Sequence, residues 1–214
     1  YYINHIKLYI YRAFLIADVH SREADTSTSG ATAVSCLVCK QNDGSRILYA
    51  ANVGDSRAIL CCKKNNVTNE IGIEVETASS YYGKRLTFDH RTDESCEQTR
   101  IQDAGGFIAR DRVLGILAVT RAFGDHGMKQ FVIAEPYITK TILNDESTVG
   151  DCPFLILACD GVWDVMTDQE AVDLLHAKYI ENNMEPVPDA AEYLVKLAIT
   201  KGSTDNVTAI VVYL

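Results

Sequence analysis

The chain is 214 residues long, 47% hydrophobic and 23% charged, with a formal net charge of -9 and a pI of about 5.0. That length and composition suit one globular domain with a core large enough to need neither disulfides nor zinc. The excess of acid excludes a phosphate-backbone binder, which selects for Lys and Arg.

Seven cysteines, an odd number dispersed through apolar segments, predict reduced intracellular thiols. Cys36 and Cys39 form a CxxC, but on a strand that spacing sends them to opposite faces, which argues against a zinc or redox pair. No apolar run approaches the roughly 18 residues of a membrane span. The opening "YYINHIKLYIYRAF" has polar interruptions and no small-residue cleavage site. A start at Tyr1 is read as a fragment or a processed product.

In chain order, Ile3, Ile6, Ile10, Phe14 and Ala17 recur at helical spacing and predict a helix over 3–18. The polar loop "SREADTSTSG" follows. "ATAVSCLVCK" and "RILYAANV" are strands joined by a hairpin at "QNDGS", and "RAILCC" is another strand. Residues 63–84 read as a surface insertion with a β-like "IGIEVE" inside it. A helix is expected over 92–104, ended by Gly105-Gly106. "VLGILAV" and "FVIAEPYITKTIL" read as strands, and "FLILAC" as a central strand. Thr167 and Glu170 have capping-box spacing before a helix. Asp189 is placed as the cap of the next helix and Gly202 as its end. "NVTAIVVYL" closes the chain as a strand expected to be central. Hairpin strands with segregated helices argue α+β with mostly antiparallel sheet, in one domain over 1–214.

Acids recur at strand ends. "ANVGDSR" puts Asp55 just past a strand. "LACDGVWD" puts Asp160 at a strand end and Asp164 four residues on. "STDNVT" puts Asp205 immediately before a strand. Carboxylates gathered at a sheet rim repel unless a cation neutralises them. An all-oxygen set suits Mg²⁺ or Mn²⁺, and two such ions can clamp a phosphoryl group. Each acid alone fits an ordinary turn equally well. It is the recurrence that favours a metal-lined rim.

"SGATAV" (29–34), "ANVGDSRAIL" (51–60), "LTFDHRTDESCEQTRIQDAGGFI" (86–108), "RVLGILAVTRAFGD" (112–125), "LILACDGVWDVM" (155–166) and "STDNVTAIVV" (203–212) fall in one order across nearly the whole chain. Together they strongly resemble the metal-dependent protein phosphatases, the type 2C serine/threonine family. The resemblance implies an αββα fold, two mostly antiparallel sheets in a sandwich flanked by helices. It implies two Mg²⁺ or Mn²⁺ ions with Asp160 and Asp205 as ligands, and a third, weaker position using Asp55, Asp160 and Asp164. The implied reaction is attack of a metal-activated water on phosphoserine or phosphothreonine, in signalling. The implied setting is a monomer in the cytoplasm or nucleus acting on phosphorylated proteins, with no nucleic-acid or membrane partner.

One departure qualifies the resemblance. The family's opening Asp-Gly-His-Gly segment, with its bridging Asp and its His, has no counterpart here, nor do the upstream Glu-Asp pair and Arg. Asp18-Val19-His20 lacks both glycines and reads as a helix C-terminus with a solvated His. The expectation is therefore a type 2C domain incomplete at its N-terminus and poorly active alone, with no catalytic side chain of its own to name. The alternative is a pseudophosphatase that keeps the fold to bind partners. Retention of every acid in the covered region favours the enzyme. Arg121 and Asp125 are expected to support a loop. His90, Glu97 and Arg100 are expected to make structural contacts, and Trp163 to plug the core.

Overall fold

The computed structural model describes residues 5–24, 28–63, 81–143 and 153–214. In chain order the helices and strands are α1 (Ile6–Ser21), β1 (Gly30–Ala31), β2 (Ala33–Lys40), β3 (Arg46–Val53), β4 (Arg57–Lys63), β5 (Tyr81–Arg85), α2 (Ser95–Asp103), β6 (Ile108–Ala109), β7 (Arg112–Val113), β8 (Phe123–Gly124), β9 (Tyr137–Ile142), β10 (Phe154–Ala158), α3 (Asp160–Trp163), α4 (Asp168–Glu181), α5 (Ala190–Thr200) and β11 (Ala209–Tyr213). The class is mixed α+β with antiparallel sheets and helices, as the hairpin and helix patterns lead one to expect.

The chain divides into two compact units. The first comprises Tyr1–Ser35, Tyr49–Ser56 and Thr87–Thr139; the second comprises Cys36–Leu48, Arg57–Leu86 and Lys140–Leu214. Strands β2, β3 and β9 form a three-stranded sheet of order β2-β3-β9. Its β2–β3 connection is the expected Asp-Gly turn. Gly44 takes the left-handed conformation at φ 87°, and Asp43 Oδ1 accepts from the Ser45 amide at 2.9 Å.

The second unit is built on a four-stranded sheet of order β11-β10-β4-β5. Both neighbours of β10 run antiparallel to it, with Ala158 opposite Arg57 on one side and Ala209 on the other. All five residues of β10 are buried, which is why its sequence is continuously apolar rather than alternating. Phe154, Ile156, Ile59, Trp163, Val172, Leu175 and Leu194 form the core beneath α4 and α5. Thr167 and Glu170 make the complete capping box that starts α4. Gly202, at φ 98°, ends α5.

In the first unit, Ile101, Val113, Ala122 and Val132 form one apolar cluster. Phe14, Ala51 and Val53 form another. Two consecutive tight turns follow β6. Arg110 and Asp111, then Leu114 and Gly115, all take positive φ.

Several boundaries differ from the sequence reading, each for a physical reason. α2 starts at Ser95 rather than 92, because Arg91 pairs with Val119 in an isolated bridge and Thr92 Oγ1 donates to Asp111 O at 2.9 Å. Residues 81–85 are not insertion but strand, paired to β4 with Lys63 opposite Tyr81. The β-like 71–76 lies outside the described residues. Among the described residues β11 is an edge strand of its sheet, not a central one. Its Ala209, Val211 and Tyr213 pack on the core, while Ile210 and Val212 remain exposed. Asp189 occupies the N-cap of α5 without a side-chain capping bond. "VLGILAV" gives only the last residue of β7 followed by turns, since Gly115 and Leu114 reverse the chain there. No described helix is long and apolar enough to cross a membrane.

Candidate functional site

The two segments that carry Asp160 and Asp205 are stitched together in the second unit. β10 and β11 separate after the pair Ala158–Ala209, but the contact continues past the ladder. The Cys159 amide donates to Thr208 O at 3.2 Å. The Thr208 amide donates to Cys159 Sγ at 3.2 Å, and that thiol donates to Asn206 O at 3.3 Å. Gly161 then lies directly on the same loop: a Cβ built on it would stand 2.4 Å from Asn206 O. Only glycine permits that approach.

Asp160 begins α3, a single turn whose C-cap is Asp164; the Asp164 amide donates to Asp160 O at 2.8 Å. Asp160 is half-buried, and Asp164 and Asp205 are exposed. Asp205 lies four residues before β11 rather than immediately before it, and its Oδ1 accepts the Asn206 amide at 2.6 Å. The rim of the second unit therefore presents oxygen donors on two packed segments. Among the described residues no group of three or more His, Cys, Asp or Glu side chains gathers as a ready-made metal site.

Asp55 belongs to the first unit. It is 7% exposed and forms an ion pair with Arg91, Nε at 3.2 Å. Its turn is rigidly held. Gly54 has φ 86°, and a Cβ there would meet the Thr32 methyl. Thr32 Oγ1 lies 2.8 Å from Ser56 Oγ. His90 donates to Gly54 O from its amide at 3.0 Å and from Nδ1 at 3.1 Å, which makes Nδ1 the protonated ring nitrogen. His90 Nε2 is buried without a hydrogen-bond partner among the described residues. Burial, followed by the field of Arg121, pushes the His90 pKa down to about 4.

The supporting residues behave as structural elements. Glu97 is 1% exposed and accepts from Arg121 Nη2 at 2.6 Å, Thr120 Oγ1 at 2.7 Å and Arg100 Nη2 at 2.9 Å. Burial by itself would raise the Glu97 pKa, but these donors hold it down to about 2. Asp125 is buried at φ 45°, and burial raises its pKa. Trp163 is in the core and donates Nε1–H to Ala158 O at 2.9 Å.

Sequence reasoning missed three contacts. Asp18, read as a helix C-terminus only, is buried and accepts from the Gly124 amide at 2.9 Å and Lys129 Nζ at 2.8 Å. His126 pairs with Ser21 Oγ at 2.8 Å. Cys159, read as an ordinary strand residue, bridges the two acid-bearing segments. No local pattern announces any of these, since their partners are 47 to 111 residues away in sequence.

Comparison with known proteins identifies the family and the fold. A family model described as "Protein phosphatase 2C" matches residues 7–207. "Protein phosphatase 2C homolog 1" of Saccharomyces cerevisiae is 37% identical over 214 residues, covering 94% of this chain and 66% of the relative. Its namesake in Schizosaccharomyces pombe is 38% identical over 182 residues, covering 85% of this chain and 45% of the relative. Among solved structures, a C. elegans sex determining protein aligns with TM-score 0.72 at 23% identity, over 95% of this chain and 45% of that one. A serine-threonine phosphatase 2C from Toxoplasma gondii aligns with TM-score 0.71 at 21% identity, over 94% of this chain and 64% of that one. The chain thus spans about two thirds or less of the length of these relatives.

Proposed function

The chain belongs to the protein phosphatase 2C family, and we propose that it serves the hydrolysis of phosphoserine and phosphothreonine in proteins, with Mg²⁺ or Mn²⁺ held by Asp160 and Asp205 and flanked by Asp164. The observation that carries this reading is the packing of Gly161 and Cys159 on 206–208, which brings the Asp160 and Asp205 segments to one rim. The donor chemistry fits. Mg²⁺ takes oxygen ligands, retains several waters and is commonly held by one or two carboxylates plus substrate phosphate. That suits a half-buried Asp160 beside an exposed Asp205 better than a closed three-acid cage. The Cys159 thiol is engaged by Asn206 and Thr208 and leaves the oxygen set unmixed. A bound cation would supply charge neutralisation at the phosphoryl oxygens and a more acidic water. The proposal carries with it phosphorylated protein substrates, a monomer, and a cytoplasmic or nuclear setting in which the described cysteines are free thiols.

The test is phosphate release from a phosphothreonine peptide with Mn²⁺ and with EDTA, run beside a calorimetric Mn²⁺ titration. Asp160→Ala and Asp205→Ala are each expected to abolish Mn²⁺ binding and turnover while leaving the circular dichroism spectrum unchanged. Wild-type Mn²⁺ affinity in both variants would refute the assigned ligands. Mn²⁺ binding without turnover by the full-length protein would favour the partner-binding pseudophosphatase.

A further inference from the structure

α3 is one helical turn, far below the length at which a helix is stable by itself, yet it carries Asp160 at its start and Asp164 at its C-cap. Its geometry must therefore be imposed from outside. Its N-terminal side is held by the Cys159 and Gly161 contacts already described. Its C-terminal side is held by a different set of residues.

Trp163, the one tryptophan of the chain, is bonded to Ala158 O through Nε1. Arg57 lies over its ring, with Cζ 5.1 Å from the centroid, a stacking that suits a planar guanidinium. Arg57 Nη1 donates to Asp168 Oδ1 at 2.6 Å. Asp168, the first residue of α4, also receives the fork of Arg85, Nε to Oδ2 at 2.8 Å and Nη2 to Oδ1 at 3.0 Å. The β-ladder fixes both arginines, with Arg57 opposite Ala158 and Arg85 opposite Ile59. Residues 158–168 are thus pinned at three points: the ladder at Ala158, the ring at Trp163 and the two guanidiniums at Asp168. Burial alone would raise the Asp168 pKa, but the Arg85 and Arg57 donors lower it, so the clamp is ionic at neutral pH.

We infer that Arg57, Asp168 and Arg85 are positioning residues: acting through Trp163, they fix α3, and with it the spacing of the Asp160 and Asp164 carboxylates that sets the affinity for a divalent cation. This rests on the reading of Asp160 as a cation ligand flanked by Asp164. It adds a charged triad to which no role in the metal site has been assigned above.

Arg57→Lys keeps the charge but loses the planar fork and the stack. Asp168→Asn keeps the shape but loses the charge. Each is titrated with Mn²⁺ by calorimetry and by Trp163 emission, at a temperature where circular dichroism shows the protein folded. Loss of an outer-shell partner typically weakens metal binding about 10–100-fold, and that loss is expected for both variants, with a red-shifted Trp163 emission. Arg57→Lys/Asp168→Asn is expected to be no weaker than the worse single variant, because the pair acts as a unit. Phe154→Leu, at the opposite end of β10, is expected to lower the melting temperature and leave Mn²⁺ affinity unchanged. If Arg57→Lys does not fold, Arg85→Lys on the more exposed side of the clamp provides the same measurement, with a smaller loss.

Mn²⁺ affinity within about twofold of the parent in folded clamp variants, the usual additivity error, overturns the positioning role and leaves the proposed centre standing. A parent chain that binds no Mn²⁺ overturns both.

Discussion

Gly161→Ala is the sharpest perturbation of the rim. The added Cβ would stand 2.4 Å from the Asn206 carbonyl oxygen, and ordinary contact begins near 3.4 Å. The obstacle is backbone on both sides, so no side chain can swing away. The loop of 205–208 and the start of α3 must separate by 3.4 − 2.4, about 1 Å. Overpacking of this kind costs roughly 1–3 kcal/mol. Taking ~2 kcal/mol at ~2–4 °C per kcal/mol for a chain of this size, the melting temperature should fall by ~4–8 °C. The same separation moves the Asp160 and Asp205 segments apart, so Mn²⁺ affinity should weaken by ~10–100-fold, as for loss of an orienting contact. Thermal melts by circular dichroism with and without Mn²⁺, and a calorimetric titration, measure both effects. Melting within ~1 °C of the parent would show that the segments are not packed as described. A lowered melting temperature with unchanged Mn²⁺ affinity would show that the cation does not depend on their spacing.

Two further predictions concern the first unit. His90 is fully buried with its pKa lowered from 6.5 to about 4, so the unfolded chain binds its proton first as pH falls. The stability it contributes is complete above pH 6.5 and is lost through the window down to about 4. At 1.36 kcal/mol per unit the loss reaches ~2 kcal/mol by about pH 5. Urea melts at pH 7.5 and pH 5 should show it, and His90→Gln should remove that part of the pH dependence. An unchanged pH dependence in the variant would refute the assignment. Glu97→Gln leaves the Arg121 and Arg100 guanidiniums without their shared carboxylate and should destabilise by ~3–5 kcal/mol, as for one partner of a buried ion pair. A loss under ~1 kcal/mol in urea melts at pH 7 would mean that solvent already screens the cluster.

Much of this protein is legible in its sequence because the signals are local. The continuous apolar run of β10 states that it is buried on both faces. The Asp-Gly turn, the Thr167–Glu170 capping box and the terminal Gly202 each act within a few residues, so their geometry follows from residue type. The motifs around Asp55, Asp160 and Asp205 were likewise readable as acids at strand ends, and the family resemblance follows from their order. What the sequence could not supply is everything that depends on which strand lies beside which. β11 is as apolar as a central strand, yet among the described residues it sits at a sheet edge, and only pairing decides that. Cys159 looks like any strand cysteine until β11 brings Thr208 and Asn206 against it. Arg57, Arg85 and Asp168 are unremarkable surface-type residues until the ladder sets two arginines facing the start of α4. Asp18 and Glu97 take their roles from partners far along the chain. Local chemistry fixes conformations over a turn or a strand; hydrogen-bond satisfaction and close packing between distant segments are properties of the assembled chain, and only the tertiary structure decides them.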